Sequence, residues 1–224
     1  AYTAIDDPEL YFQVKAYSGT GSSNAVTLDG DEDMAPNLCW LKSRTQGGTG
    51  YNGNNFWFDT VRGATKRLKS DGDNAESTDS NALTDFGSDG FTVGSDEIVN
   101  KSGDSYVAWC WNESATAGFD IVGYTGDETA RTISHNLSAV PKMIIQKNRA
   151  TSGGYNWNVY HASNTSAPET DVLVLNENSA TEDSAIYWND TAPTSSVFSL
   201  GTSGQSNKDG ATNIVYLFAE KQGF

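Results

Sequence analysis

The 224-residue sequence is short of basic side chains, with 14 Lys and Arg against 29 Asp and Glu, for a formal charge of −15 with both histidines neutral. Binding to nucleic acid or to an anionic membrane needs a basic footprint, so no nucleic acid and no membrane is expected as a partner. Long apolar runs are also missing. Stretches such as Met143-Ile144-Ile145 are strand-sized, far below the roughly 20 residues that span a bilayer. Cysteine is scarce: Cys39 and Cys110 could form one bridge but not a disulfide framework. Gly and Pro together reach only about 12 %, the background of globular chains, which removes collagen-like and low-complexity readings. Ala1 to Pro8 lacks the basic and apolar regions of a secretory leader. Without that leader, sequons such as those at Asn112, Asn136, Asn164 and Asn189 are expected by chance in a chain rich in Asn, Ser and Thr. What is present is 11 % aromatic and 37 % hydrophobic residues, enough to build a core.

An internal repeat organises the chain. Phe12, Tyr17 and Gly19 match Phe119, Tyr124 and Gly126 at an offset of 107. After an indel, Pro36, Lys42 and Arg44 match Pro141, Lys147 and Arg149 at 105, and Trp57 is aligned with Trp157 at 100. The offset of 107 then returns for Phe91, Gly94 and Gly103 against Phe198, Gly201 and Gly210. The copies span 11–111 and 118–218, with an arm at 1–10, a linker at 112–117 and a tail at 219–224. A period this long makes each copy a domain rather than a solenoid unit.

Both copies read as β. Short segments such as Phe12 to Tyr17, Asn37 to Lys42, Ser105 to Trp111, Lys142 to Lys147 and Ile214 to Phe218 are rich in β-branched and aromatic residues and bounded by Gly, Asn, Asp and Ser. The expected fold class is all-β, two tandem antiparallel β-sandwich repeats of jelly-roll-like form, without a long helix. Val61 to Leu68 fits a single helical turn or a strand, and Gly63 weakens the helix. The alignment places Cys39 on Ile144 and Cys110 on Leu217, so both cysteines are expected as unbridged core thiols.

Sites of chemistry are weak. Asp29-Gly30-Asp31-Glu32-Asp33 starts like a calcium loop but has Met34 and Trp40 where Gly and Glu belong, and reads as a solvated acidic turn. His135 and His161 lack a cysteine cluster for zinc, no nucleophile elbow occurs, and neither a metal nor a cofactor is expected. The basic strip Arg62, Lys66, Arg67 and Lys69 is expected to pair with acidic neighbours. Aligned aromatics usually make the same core contact twice, which is the bland reading of Trp57 and Trp157. Trp188 has no aligned Trp and is the better surface candidate. Trp157, Trp188, Asn189 and Asp190 form the candidate contact set for a host glycan or protein, because polar loops with a few aromatics suit shallow recognition. Tyr2, Ile5, Asp6 and Pro8 are the candidate anchoring residues of a short arm with too little apolar content to fold alone.

Several strings carry a family likeness. Tyr2 to Pro8 with Tyr11-Phe12-Gln13, Trp40-Leu41-Lys42-Ser43-Arg44, Phe58 to Ala64, Ser88-Asp89-Gly90-Phe91, Tyr106 to Trp111, Tyr187 to Gly201 and Phe218-Ala219-Glu220 resemble a two-copy domain of marine bacteriophage virion proteins. The resemblance covers nearly the whole chain and implies a tail fibre or related surface protein, with capsid decoration or a head fibre as the alternative. It brings no catalytic residues. It implies other virion proteins as partners, location on the particle surface and, by analogy with such appendages, a homotrimer. A lectin-like carbohydrate-binding module is the competing class, and an enzyme the third.

Overall fold

A computed structural model describes residues 5–45, 53–150, 153 and 155–223. Among these residues regular structure is nearly all antiparallel strand, and the three α-helices are single turns. The chain divides into two compact units. One holds Asp7–Ser70 and Glu76–Glu113; the other holds Ala1–Asp6, Asp71–Ala75 and Ser114–Phe224. They are called the first and second units below.

The first unit contains β1 (Phe12–Ser18), β2 (Asn24–Thr27), β3 (Leu38–Ser43), β4 (Asn55–Asp59), β5 (Lys66–Lys69), β6 (Ser77–Thr78), β7 (Leu83–Gly87), β8 (Gly90–Val93), α1 (Glu97–Asn100) and β9 (Ser105–Trp111). The second contains β10 (Phe119–Thr125), β11 (Arg131–Ser134), β12 (Pro141–Asn148), β13 (Trp157–His161), β14 (Asp171–Val174), β15 (Glu182–Asp183), α2 (Ala185–Trp188), β16 (Val197–Leu200), α3 (Gly204–Asn207) and β17 (Thr212–Ala219). The large sheets have the orders β1-β9-β3-β4-β5-β6 and β10-β17-β12-β13-β14-β15, which are the same path walked twice. Smaller sheets, β2-β8-β7 and β11-β16, accompany them. Four consecutive strands, β3 to β6, lie side by side as a meander, whereas a jelly roll sends successive strands to alternate sheets.

Cross-strand register gives a residue-by-residue test of the repeat. Cys39 faces Cys110 and Trp40 faces Trp109 between β3 and β9, while Ile144 faces Leu217 and Ile145 faces Tyr216 between β12 and β17. Phe91 faces Val26, and Phe198 faces Ile133. The Trp57–Trp157 alignment is overturned. Trp40 pairs with Trp57 and Lys42 with Asn55, whereas Ile145 pairs with Val159 and Lys147 with Trp157. Trp57 therefore corresponds to Val159, and Trp157 to Asn55, because the connection before β13 is three residues shorter than the one before β4.

In each unit the two sheets contribute to one apolar cluster, the two-layer solution to burying one face of each sheet. Val26, Leu83, Phe91 and Val93 from the smaller sheet meet Cys39, Leu41, Phe56, Phe58, Ala108 and Cys110. Phe198 and Leu200 meet Ile144, Tyr160, Val172, Val215 and Leu217. Cys39 and Cys110 are fully buried and unbridged, their sulfurs 3.7 Å apart. Burial and the adjoining Cys110 push the Cys39 thiol well up, away from the reactive thiolate. Residues 60–65 form a turn with Gly63 at φ +99°, followed by β5, which resolves the Val61 to Leu68 segment as turn and strand.

Candidate functional site

Each unit holds its loops on one buried asparagine. The strings Gly94-Ser95-Asp96-Glu97-Ile98-Val99-Asn100-Lys101 and Gly201-Thr202-Ser203-Gly204-Gln205-Ser206-Asn207-Lys208 repeat at an offset of 107. Asp96 and Ser203 cap the following turns by accepting from Ile98 N and Gln205 N. Those turns drive Asn100 and Asn207 inward, where both are fully buried. Asn100 Oδ1 accepts from Thr20 N at 2.9 Å, and its Nδ2 donates to Gly94 O at 2.6 Å and to Ser22 O. Asn207 repeats this with Asp127 N at 3.1 Å, Gly201 O at 2.9 Å and Thr129 O at 2.8 Å. The carbonyls of Asn100 and Asn207 accept from Gly21 N and Glu128 N, both in left-handed backbone. A Cβ on Gly19 would sit 2.1 Å from Lys101 O, and one on Gly126 2.2 Å from Lys208 O, so both loops close only with glycine. Sequence reading paired Gly94 with Gly201 but passed over the asparagines six residues on.

The candidate contact set does not form one surface. Trp188 is buried, against the expectation of a surface side chain. It corresponds to Leu83, since the backbone N–H groups of Gly94 and Gly201 bond to Ala82 O and Tyr187 O one residue earlier, and its ring meets Tyr160 inside the core. Trp157 is fully buried on the opposite face of the sheet, stacked on Tyr216 with centroids 6.4 Å apart. Only Asn189 and Asp190 are exposed. They take φ +57° and +44° and end α2, with Asn189 N bonded to Ala185 O.

The anchoring arm is corrected in the same way. Ile5 is buried within the second unit and so is not a free docking side chain. Pro8 opens a 3-10 turn, Pro8–Leu10, capped by Asp7, and Asp6 and Pro8 are exposed. Tyr2 lies outside the described residues.

Charged groups are engaged inside the fold. The buried Arg62 guanidinium pairs with Asp59 through Nε, donates to Trp57 O at 2.8 Å and lies 3.3 Å from Glu76. Arg67 Nη1 lies 2.7 Å from Asp96 and 3.0 Å from Asp79, with its guanidinium over the Phe56 ring. Burial and then the Asp79 neighbour raise the Asp96 carboxyl above its ordinary value. At Asp79 the desolvation is outweighed by hydrogen bonding to Asp96 and Asn81 N and by Arg67, so its carboxyl lies low. Two carboxyls pushed apart around one guanidinium is an acid–base arrangement. Here Asp96 is already the cap of α1, which gives the pair a structural role. It spans 17 positions and left no local motif. The acidic turn is likewise tied down: Asp29 pairs with Lys15 at 3.0 Å, and Gly30 N and Asp31 N donate to Gln13 and Glu9. His135 is buried between Thr194 O and Leu137 N. Among the described residues no group of three His, Cys, Asp or Glu side chains is placed to hold a metal.

Fold and loop scaffold define an all-β chain of two antiparallel units. Residues 7–224 match the family described as a domain of unknown function (DUF7483), and the chain belongs to that family. No curated protein matches it.

Proposed function

We propose that this chain is a non-enzymatic structural protein on the outside of a bacteriophage particle, a tail-fibre or other host-contacting component. The observation that carries the reading is the likeness of its strings, from Tyr11-Phe12-Gln13 to Phe218-Ala219-Glu220, to the two-copy domain of marine phage virion proteins. Two features support it. The charge of −15 suits a module displayed in many copies, since mutual repulsion keeps particles dispersed. Arg62, Arg67, Asp59, Asp79, Asp96 and His135 each serve a contact that holds a loop or turn. In this reading the host contact falls to the exposed Asn189-Asp190 turn and the polar loops of the second repeat. The carbohydrate-binding alternative loses Trp157 and Trp188 as stacking platforms, because both are buried. The partners proposed are other virion proteins, a host surface glycan or protein, and two further copies of the chain in a trimer.

Antibody against the recombinant chain tests the proposal on gradient-purified particles of a phage that carries the gene. Labelling of intact particles is expected, and the position of the label on tail or head separates fibre from decoration. Presence in infected-cell lysate with absence from purified particles would overturn the reading. Sedimentation equilibrium of the isolated chain checks the trimer.

A further inference from the structure

The two repeats fill the same end of their cores with opposite chemistry. Leu41, Phe56, Tyr106, Val99 and Ser43 of the first unit correspond by register to Gln146, Asn158, Asn213, Ser206 and Asn148 of the second. All five second-unit residues are fully buried. In the first unit the Tyr106 ring stacks on Tyr17 at 5.2 Å, and its hydroxyl reaches Glu97 O at 2.8 Å and Lys101 N at 2.9 Å. Asn213 stands in that place and is too short to repeat the reach.

The amides form an ordered chain. Ala211 O can only accept, so Asn213 presents Nδ2 to it at 2.9 Å and turns Oδ1 towards Gln146 Nε2 at 2.9 Å. Gln146 Oε1 then accepts from Asn158 Nδ2 at 2.7 Å, which leaves Asn158 Oδ1 facing onward as an acceptor. Asn148, opposite Asn213, uses Oδ1 on Ala150 N and has Nδ2 left over. Tyr124 Oη meets Gln146 and donates to Ser206 O, which brings Ser206 beside the amides. Asn158 Oδ1, Asn148 Nδ2 and Ser206 Oγ are buried and have no hydrogen-bond partner among the described residues.

We propose that this end of the second unit's core is an enclosed binding site for ordered water, absent from the first unit. The three free groups are an acceptor, a donor and a hydroxyl, and none is charged. That set complements water, which gives and receives hydrogen bonds and brings no charge to desolvate. A cation is disfavoured by the Asn148 N–H group, and an anion by the Asn158 oxygen. Phe56, Tyr106 and Val99 give way to the smaller Asn158, Asn213 and Ser206, and the proposal places the water where those side chains are cut back.

The test is water-to-protein NOE spectroscopy on the isotope-labelled full chain, with a high-resolution crystal structure alongside. Long-lived water cross-peaks to the side-chain amides of Asn158 and Asn148 are expected, with none to the core side chains Leu41 and Phe56. The fourfold variant Q146L/N158F/S206V/N213Y, which installs the first unit's residues, is expected to lose those cross-peaks. If it fails to fold, the single variant Ser206→Val is expected to weaken them. Density for a larger organic molecule at the site, or direct hydrogen bonds among the three groups with no water cross-peak in the wild type, would overturn the proposal.

Discussion

Replacing Asn100 or Asn207 with Ala isolates the device that holds the loops of each unit. Each substitution removes the side-chain oxygen that receives a backbone N–H, Thr20 or Asp127, and the amide that serves two carbonyls. A buried group left unsatisfied costs about 1–3 kcal/mol. The bonds to Gly94 O and Gly201 O are buried, whereas the partners on the loops regain water in part. The sum expected is about 2–5 kcal/mol for either variant, with the two alike to within about 1 kcal/mol because the geometry is the same. Urea denaturation gives the magnitude, and hydrogen exchange read by mass spectrometry gives the location. Asn100→Ala should accelerate exchange in peptides covering 19–24, and Asn207→Ala in those covering 126–131. Asn100→Asp, nearly isosteric, should be worse than Ala at neutral pH because it turns a carboxylate towards Gly94 O and Ser22 O, and should recover as the pH falls. A loss below about 1 kcal/mol for both alanine variants, with unchanged exchange in the loops, would refute the reasoning.

Four further outcomes are expected. Trp188→Ala should cost about 3–5 kcal/mol by urea titration, as removal of a buried core ring does, and an effect on adsorption without loss of stability would contradict its placement. Cys39→Ile and Cys110→Leu each should cost about 1–3 kcal/mol through overpacking, and both native thiols should resist a disulfide reagent at pH 8 until the chain is unfolded. Glu128→Gly should stabilise the second unit by about 1 kcal/mol in thermal melts, since Glu128 holds φ +56° where the first repeat has Gly21. Burial lowers the Lys147 ammonium to about 8, with Asp73 opposing the shift. The folded state therefore binds fewer protons than the unfolded chain between pH 8 and the ordinary lysine value, so stability contributed by this group rises with pH across that window. The difference in stability between wild type and Lys147→Met should change over pH 7.5 to 9.5, below the range where the buried tyrosines titrate, and a constant difference would remove the claim.

The strand class and the free thiols, like the lack of a long helix among the described residues, are legible in the sequence, because alternation, turn residues and the cysteine positions report local preference and burial directly. Trp188 is not. A tryptophan among Asn, Asp, Thr and Ser looks solvent-facing, but a single turn, Ala185–Trp188, rotates its ring into the core at the place of Leu83. Trp57 and Trp157 misled for a related reason. Both are indoles on the face of their sheet opposite the apolar cluster, and only the register, with Trp57 opposite Trp40 but Trp157 opposite Lys147, shows them to be two positions out of frame. Ile5 stands among acidic neighbours that give the segment the look of a free arm, yet its aliphatic side chain is buried. The Arg67, Asp79 and Asp96 cluster left no trace in spacing, since its members come from β5, the turn after β6 and the cap of α1.

Duplicated chains separate what a fold needs from what a protein uses, because the two copies share one backbone problem. Tyr17 and Tyr124 reach the carbonyls of Val99 and Ser206, Asn100 and Asn207 hold the same loops, and Gly19 and Gly126 admit the same close approach. These positions are constant because any change breaks backbone hydrogen bonding in that unit. Where the copies differ, the difference is chemical and lies on the same scaffold. Arg67, Asp79 and Asp96 of the first unit become Val172, Ser184 and Ser203 in the second, so the charged cluster belongs to one unit alone. Leu41, Phe56 and Tyr106 become Gln146, Asn158 and Asn213, so the polar core belongs to the other. The two units therefore carry different buried chemistry on one frame, and exchanging either set between them is expected to leave the asparagine-held loops in place.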